Sequence, residues 1–302
     1  MLSITLNMRL ALVLIFTMTT IILAGPEKKI DKSFESKDKV KIKLAISDCT
    51  VKTSSDNKIH AMISYSYSDD QYEVVFRETG NSLTMQEKFH GDDADGSAQW
   101  TVSVPEGARV DLSSGTGDLI LSTANIEIDG NTGTGDIELT DARGEFELNS
   151  GTGSILVSSS EGEFDLNSGT GKVRIKDSKG NFDANSGTGD VEAENLTITE
   201  ESEFNSGTGD AEVINPIGTD FDLSLNSGTG DAVLDMDGAD LSGYFELKAS
   251  SRRGRIKADI EFDNEEEYGH HDNAYIVKST TINSDKPRFF ISTGTGTAEL
   301  KK

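Results

Sequence analysis

The sequence predicts an all-β protein built around a right-handed parallel β-solenoid, a β-helix with two-strand rungs of about 18 residues. Three observations lead to this prediction. A glycine-containing tetrad recurs at a nearly fixed interval, apolar and polar residues alternate between its copies, and a second polar turn marked by glycine lies midway between them.

The tetrad Ser/Thr-Gly-Thr-Gly supplies the period. Its first glycines are separated by 18, 18, 18, 18, 20 and 21 residues, and a last copy begins at Gly294. A short fixed period indicates a solenoid in which each repeat is one coil stacked on the next. We expect positive φ at tight corners formed by Gly115, Gly117, Gly133, Gly135, Gly151, Gly153, Gly169, Gly171, Gly187, Gly189, Gly207, Gly209, Gly228 and Gly230.

The residues between the tetrads have the period of half-buried strands. In one unit Phe146, Leu148, Ile155 and Val157 occupy alternate positions on one face. Equivalent strands of successive rungs should therefore lie parallel and about 4.8 Å apart. Parallel crossovers are nearly always right-handed, which sets the predicted hand. The predicted internal aromatic row is Phe146, Phe164 and Phe182.

The chain divides into five segments. The N-terminal flank lacks the glycine corner, and both flanks are expected to be irregular β caps, because an open solenoid end is a sheet edge that pairs with other chains. The segments are a signal peptide (1–24), a linker (25–37), an N-terminal β region or cap (38–105), the Gly-Thr-Gly solenoid (106–257), and an acidic insertion with a C-terminal capping rung (258–302).

The N-terminal segment predicts export. Residues 10–24 are apolar, follow Arg9 and precede Gly25 and Pro26, which is typical of a secretory signal peptide. The run is shorter than the roughly 20 residues of a membrane-spanning helix, so we expect cleavage after Ala24, with a retained anchor as the alternative. The mature chain is then expected in the periplasm, the cell envelope or the medium, with no membrane span.

The charge and the cysteine count exclude several classes. The chain has 53 acidic and 28 basic residues, a net charge of -25, and so lacks the basic surface of a nucleic-acid-binding protein. Cys49 is the only cysteine, which excludes a disulfide scaffold.

The repeated Asn-Ser-Gly-Thr-Gly-Asp units, the Val-Pro-Glu-Gly-Ala segment at 104–108 and the closing Ser-Thr-Gly-Thr-Gly-Thr-Ala-Glu-Leu at 292–300 carry a resemblance. A chain with these motifs resembles the bacterial putative adhesin family, a domain of unknown function. The resemblance implies a parallel β-solenoid and a role in adhesion. It brings no functional residues with it.

A calcium-binding β-roll is the main alternative, because two calcium-binding nonapeptides also make an 18-residue coil. In those repeats the aspartate lies one position further from the second glycine, and here Ser154 and Lys172 interrupt the row. We therefore expect no metal or cofactor. The candidate ligands are Asp118, Asp136, Asp190, Asp210 and Asp231, with His270 and His271 in the acidic insertion as candidates for a transition metal.

Two further rows stack at the predicted corner. The asparagines are expected to form an amide ladder, and the threonines an exposed hydroxyl strip open to sugars, water or a protein. Residues 251–257 form the densest cationic patch, a docking point for an acidic partner or a second copy. The rows are Asn149, Asn167, Asn185, Asn205 and Asn226, and Thr116, Thr134, Thr152, Thr170, Thr188, Thr208 and Thr229.

No catalytic motif stands out in the sequence. There is no nucleophile elbow, zinc-protease motif or phosphate-binding loop, and Trp100 lies outside the repeat. We therefore expect a non-catalytic envelope module that binds a protein or a glycan, with self-association through the solenoid ends as a further prediction. A carbohydrate-active β-helix enzyme ranks third, behind the calcium-binding alternative.

Overall fold

The computed structural model describes residues 27–91, 95–218, 220–269 and 274–302. These residues form 27 β-strands and, within the described ranges, no helix, so the all-β prediction is confirmed. No helix capable of spanning a membrane occurs in this part of the chain. The predicted signal peptide, His270 and His271 lie outside the described residues.

Seven strands precede the repeat. They are β1 (Lys28–Phe34), β2 (Lys39–Leu44), β3 (Asp48–Thr53), β4 (Ile59–Tyr65), β5 (Tyr72–Thr79), β6 (Ser82–Phe89) and β7 (Ala98–Val104).

In the repeat, a longer strand alternates with a four-residue strand in each rung. The strands are β8 (Arg109–Thr116), β9 (Leu119–Ser122), β10 (Ile126–Thr134), β11 (Ile137–Thr140), β12 (Arg143–Thr152), β13 (Ile155–Ser158), β14 (Glu161–Thr170), β15 (Val173–Lys176), β16 (Lys179–Thr188), β17 (Val191–Glu194), β18 (Thr197–Ile198), β19 (Ser202–Thr208), β20 (Ala211–Ile214), β21 (Leu223–Thr229) and β22 (Ala232–Asp235).

Five strands follow the repeat. They are β23 (Gly243–Ser250), β24 (Gly254–Ala258), β25 (Asn264–Tyr268), β26 (Tyr275–Ile282) and β27 (Arg288–Lys301).

The rungs stack in parallel with equivalent residues in register. The longer strands pair with one another and form the long-strand sheet, in which Asn149 of β12 lies beside Asn167 of β14. The four-residue strands form the short-strand sheet, in which Ile155 lies beside Val173. The longer repeat steps keep this register, since Asn185 pairs with Asn205. The two extra residues of the 20-residue step lie between β18 and β19, which both pair with β16.

At the N-terminal end, the order of strands in space differs from their order in the chain. Strands β2 and β3 make the rung that stacks directly on β8 and β9, both in parallel. Strands β6 and β7, which come later in the sequence, stack on the outer side of this rung. Antiparallel β5, β4 and β1 then complete this end of the two sheets.

At the C-terminal end, the segment expected to be a capping rung lies inside the stack. Strand β27 pairs with β21 and β22 on one side and with β23 and β24 on the other. It carries the last tetrad, and its Gly294 stacks directly on Gly228. The glycine corner of β27 matches the corner that follows β21, and the end itself is formed by β24, β26 and β25.

One continuous apolar core runs between the two sheets. It extends from Val40 in the first rung to Leu300 in β27, and the Trp100 side chain is fully buried. The aromatic row is confirmed: ring centroids are 5.4 Å apart between Phe146 and Phe164 and 5.0 Å apart between Phe164 and Phe182.

The two glycines of each corner are required for different reasons. Gly153 has a φ of +146°, and a Cβ placed on it would lie 2.0 Å from the carbonyl oxygen of Gly135. Gly151 does not have positive φ, yet its Cβ would lie 2.6 Å from the carbonyl oxygen of Gly133. Positive φ therefore holds only for the second glycine, and the first is needed because the neighbouring backbone is so close.

A buried carboxylate terminates the row of corners. The first rung turns at residues 45–47 without glycine, and the backbone N–H groups of this turn find their acceptor in a side chain and not in another corner. Glu87, which is 4% exposed, is that side chain: its Oε2 accepts from the backbone N–H of Ala45 at 2.7 Å and of Ile46 at 3.2 Å, and its Oε1 from the Ser47 hydroxyl.

Both ends carry charged side chains that point inward. At the N-terminal end the Lys32 ammonium lies 4.4 Å from the centre of the Phe76 ring. At the C-terminal end Glu265 pairs with Lys278 at 3.0 Å, on the face that continues the inward-facing Leu247. Inward charges on edge strands oppose the addition of further strands. Self-association through the ends stays a prediction, and these charges work against it.

Replacement of Gly153 by valine should lower the free energy of unfolding by at least about 2 kcal/mol, because the new side chain meets both positive φ and a carbonyl oxygen. Thr152→Val changes an exposed residue of the same corner and should stay within about 0.5 kcal/mol of wild type. Urea unfolding of both variants measures this. Equal midpoints would contradict the corner geometry.

Glu87→Gln should lower the free energy of unfolding by about 1–3 kcal/mol, because a neutral amide oxygen accepts from the two backbone N–H groups more weakly than the carboxylate does. Glu147→Gln, the same change at an exposed outward position, serves as the control and should be nearly neutral. Thermal unfolding monitored by circular dichroism compares the two variants.

Candidate functional site along the solenoid corner

The Asn-Ser-Gly-Thr-Gly-Asp units stack where the long-strand sheet turns into the short-strand sheet. We call these stacked units, residues 149–154 in one rung, the corner track. Because the rungs are in register, each residue type forms its own column along the solenoid axis.

The serine column holds the corner together from inside. The Ser150 hydroxyl donates to the carbonyl oxygen of Gly135 at 2.8 Å, and Ser168 donates to Gly153 at 2.8 Å. Thr293 makes the same bond to Gly230 in β27. The sequence analysis missed this role, although a serine or threonine precedes the first glycine in every copy.

The asparagine column forms the predicted amide ladder over four rungs. The Nδ2 of Asn185 donates to the Oδ1 of Asn167 at 3.1 Å, and Asn205 and Asn226 continue the series at 3.0 and 2.8 Å. Nearer the N-terminus, Asn131 instead donates to Asp129 at 2.5 Å. The amides are thus fixed in orientation by neighbours above, below or beside them.

A trough follows the asparagine, serine and first-glycine columns, and its one threonine, Thr132, belongs to the serine column and not to the exposed threonine strip. The threonines of the seven regular corners are all exposed, as the hydroxyl strip requires, and the first glycines leave the space before them empty. The resulting cavity has a volume of about 560 Å³. Its lining contains no ionisable side chain and consists of serines, asparagines, glycines and one threonine. The glycines and asparagines among them are Gly133, Gly151, Gly169, Gly187, Asn131, Asn149, Asn167 and Asn185.

The aspartate column serves the backbone of the next rung. The Oδ1 of Asp136 accepts a hydrogen bond from the N–H of Ser154 at 2.7 Å, and that of Asp118 accepts from Asp136 at 2.8 Å. Asp190, Asp210 and Asp231 make the same bond at 3.1, 2.7 and 2.6 Å. The column predicted as possible calcium ligands therefore supplies acceptors for amides at the corner.

The side chain of Lys172 places a positive charge in the middle of the aspartate column. The Lys172 ammonium lies 2.8 Å from both Asp190 and Glu192. Its hydrogen bond to Asp190 contributes most to raising its pKa, and its hydrogen bond to Glu192 adds to this effect. The same contact with Lys172 holds the pKa of Asp190 below its usual value. Among the described residues no group of three or more His, Cys, Asp or Glu side chains is arranged to hold a metal ion.

The outer face of the short-strand sheet also pairs its charges. Arg174 pairs with Glu192 and Lys176 with Glu194 across neighbouring rungs. In the cationic patch, Lys257 pairs with Glu299 at 2.6 Å, and residues 251–253 form the turn that replaces the glycine corner between β23 and β24.

Several solved structures share similarity with this chain. A putative adhesin from Bacteroides fragilis is 14% identical, with a TM-score of 0.39, and the alignment covers 90% of this chain and 97% of that one. A putative adhesin from Parabacteroides distasonis is 11% identical, with a TM-score of 0.39 and coverages of 92% and 97%. A putative cell adhesion protein from Clostridium sporogenes is 12% identical, with a TM-score of 0.28 and coverages of 91% and 99%.

No curated protein matches the chain significantly. The family described as Toastrack DUF4097 matches residues 37–283, from the residues before β2 to the end of β26. Because this match covers most of the sequence, the chain belongs to the Toastrack DUF4097 family.

Proposed function

We propose that this protein is a non-catalytic, exported module of the cell envelope that acts in adhesion, and that its corner track binds an extended, uncharged glycan chain. The observation that carries the proposal is the neutral trough lined by the asparagine, serine and first-glycine columns, with the exposed threonine column beside it. The proposal includes cleavage of residues 1–24 as a signal peptide, a right-handed coil, and the Ser-Gly-Thr-Gly-Asp repeat as the element that builds the binding surface.

The chemistry of the trough favours a glycan. Amide and hydroxyl groups both donate and accept hydrogen bonds, as sugar hydroxyls do. Here they recur in a straight line with a spacing of about 4.8 Å, one group of each kind per rung. The trough offers no charged group for an ionic ligand.

The rigidity of the track supports binding as well. The amide of Asn185 is held by Asn167 on one side and Asn205 on the other. The corner backbone is held on both sides, since the Gly153 N–H donates to the Thr170 carbonyl of the next rung and the Thr152 carbonyl accepts from the Gly135 N–H of the preceding rung. A surface that is already ordered loses little conformational entropy on binding.

Removal of the hydroxyl strip should abolish glycan binding. We expect the wild-type chain to bind uncharged glycans on an array, and the triple variant Thr152→Val, Thr170→Val, Thr188→Val to lose at least tenfold in affinity. The matched variant with serine at these three positions keeps the hydroxyls and should bind nearly as wild type.

The outcomes of this experiment separate the candidate functions. Retained binding by the valine variant would exclude the corner track as the site, and exclusive binding to a protein would exclude a glycan partner. Analysis of the bound glycans for shortened products tests the non-catalytic assignment, because cleavage would identify an enzyme.

The calcium alternative is tested at Asp136. Asp136→Asn keeps the oxygen that accepts from Ser154, so its stability should match wild type, whereas Asp136→Ala should lose about 1–2 kcal/mol. Calcium and magnesium should raise the melting temperature equally, since both only screen the carboxylates. A calcium-specific rise that both variants lose would support a calcium β-roll instead.

A further inference from the structure

The outer face of the long-strand sheet separates positive from negative charge along the solenoid axis. Near the N-terminus lies a basic patch, which we define as Lys39, Lys41, Lys43 and Arg109 on β2 and β8. The next rungs carry an acidic strip, which we define as Glu127, Asp129, Glu145, Glu147, Glu163, Asp165, Asp183 and Glu203 on β10 to β19.

The register places these residues in two straight columns. Lys39, Arg109, Glu127, Glu145 and Glu163 follow one another in the first column. The second column holds Lys41, Asp111, Asp129, Glu147, Asp165, Asp183 and Glu203 in the same rung order.

Much of this charge is uncompensated within the chain. Lys39 and Lys41 share the single carboxylate of Asp111, at 2.7 and 4.0 Å. Among the described residues Lys43 forms no ion pair, and neither do the exposed Glu145 and Glu163. Like charges one rung apart repel each other even in water.

The fold does not require this separation. On the short-strand sheet, the same rung spacing places Arg174 beside Glu192 and Lys176 beside Glu194, so that neighbouring charges attract. The long-strand sheet could be arranged in the same way, but it instead groups its charges by sign. A partner with the opposite order of charges would stabilise such a face.

A second copy of this chain has that order. We propose that the outer faces of two long-strand sheets dock against each other about a two-fold axis that is parallel to the strands and passes over β10. This operation reverses the rung order, so β2 of one copy lies over β14 of the other, and β8 over β12. Lys39 then faces Glu163, and Lys41 faces Asp165, twice per dimer.

The charges near the axis fit this arrangement. Glu127 and Asp129 would meet their own copies there, and both already have partners within the chain. Glu127 pairs with Arg109, and Asp129 accepts from Asn131 at 2.5 Å. Asp111, which would face Glu147, is already paired with Lys39. Among the described residues Glu145, Glu163 and Asp165 form no ion pair, and they lie further along the strip, where the basic patch of the second copy falls.

Other partners satisfy only part of the face. A polyanion would contact the basic patch but would be repelled by the acidic strip, and a polycation would meet the reverse problem. The two-fold contact is isologous and closes after two copies. At physiological ionic strength, charges more than about 8 Å apart are largely screened from each other. Most of the net charge of -25 on each copy therefore adds little repulsion, and the contacting pairs determine the association.

Cross-linking between separately prepared variants tests the geometry. Lys41→Cys protein and Asp165→Cys protein are mixed and treated with a bis-maleimide that spans about 10 Å, the distance between packed sheets. The mixture should give a cross-linked dimer. Each variant alone should not, because the two copies of the same cysteine then lie about 19 Å apart along the solenoid axis, a distance of four rungs. The wild-type chain serves as the control and should not be cross-linked, because its cysteine, Cys49, is buried.

Sedimentation velocity of the full chain tests the charge pairing. Wild type should form dimers that weaken at high salt, and Lys39→Glu with Lys41→Glu should weaken dimerisation at least tenfold. Adding Glu163→Lys and Asp165→Lys to that variant should restore the dimer. A monomeric wild type, a dimer insensitive to the first two changes, or no restoration by the last two would overturn the proposal, with circular dichroism confirming that each variant folds.

Discussion

The close backbone contact between successive corners is the constraint on which the rest of this structure depends. A carbonyl oxygen of one rung lies where a Cβ at Gly151 or Gly153 of the next would be. The corner therefore excludes side chains from its own path and displaces them to the flanking positions. The buried serine and the aspartate that caps the next amide satisfy backbone groups left by this tight turn, whereas the outward asparagines bond to one another.

The same constraint explains how the stack begins and ends. A corner needs another corner to accept its hydrogen bonds, and Glu87 supplies those acceptors where the row stops. It also explains why β27, the last strand of the chain, lies inside the stack and pairs with β21. The tetrad of β27 matches the glycine corner that follows β21. Antiparallel strands with inward charges, such as Lys32 and Glu265, then close the sheets.

Function, by contrast, belongs to surfaces that the coil displays without needing them for folding. The trough beside the threonine column is neutral, whereas the neighbouring face separates its charges by sign. These two surfaces lie on the same sheet and offer different chemistry, hydrogen bonding on one and ion pairing on the other. Docking of two copies would also cover the outward asparagines of β10 to β14, so the charge variants and the threonine variants are both needed to separate the two proposals.

The sequence by itself determined the rung, because the strand period and the glycine spacing are local properties of the repeat. It also indicated the aromatic row and the asparagine ladder, since parallel stacking places identical residues beside one another. Only the tertiary structure decided that β2 and β27 are interior neighbours of the repeat, that Asp136 serves a backbone amide, and that Glu87 ends the corner row. These features depend on which backbone edges meet across long stretches of chain, and no local pattern of residues contains that information.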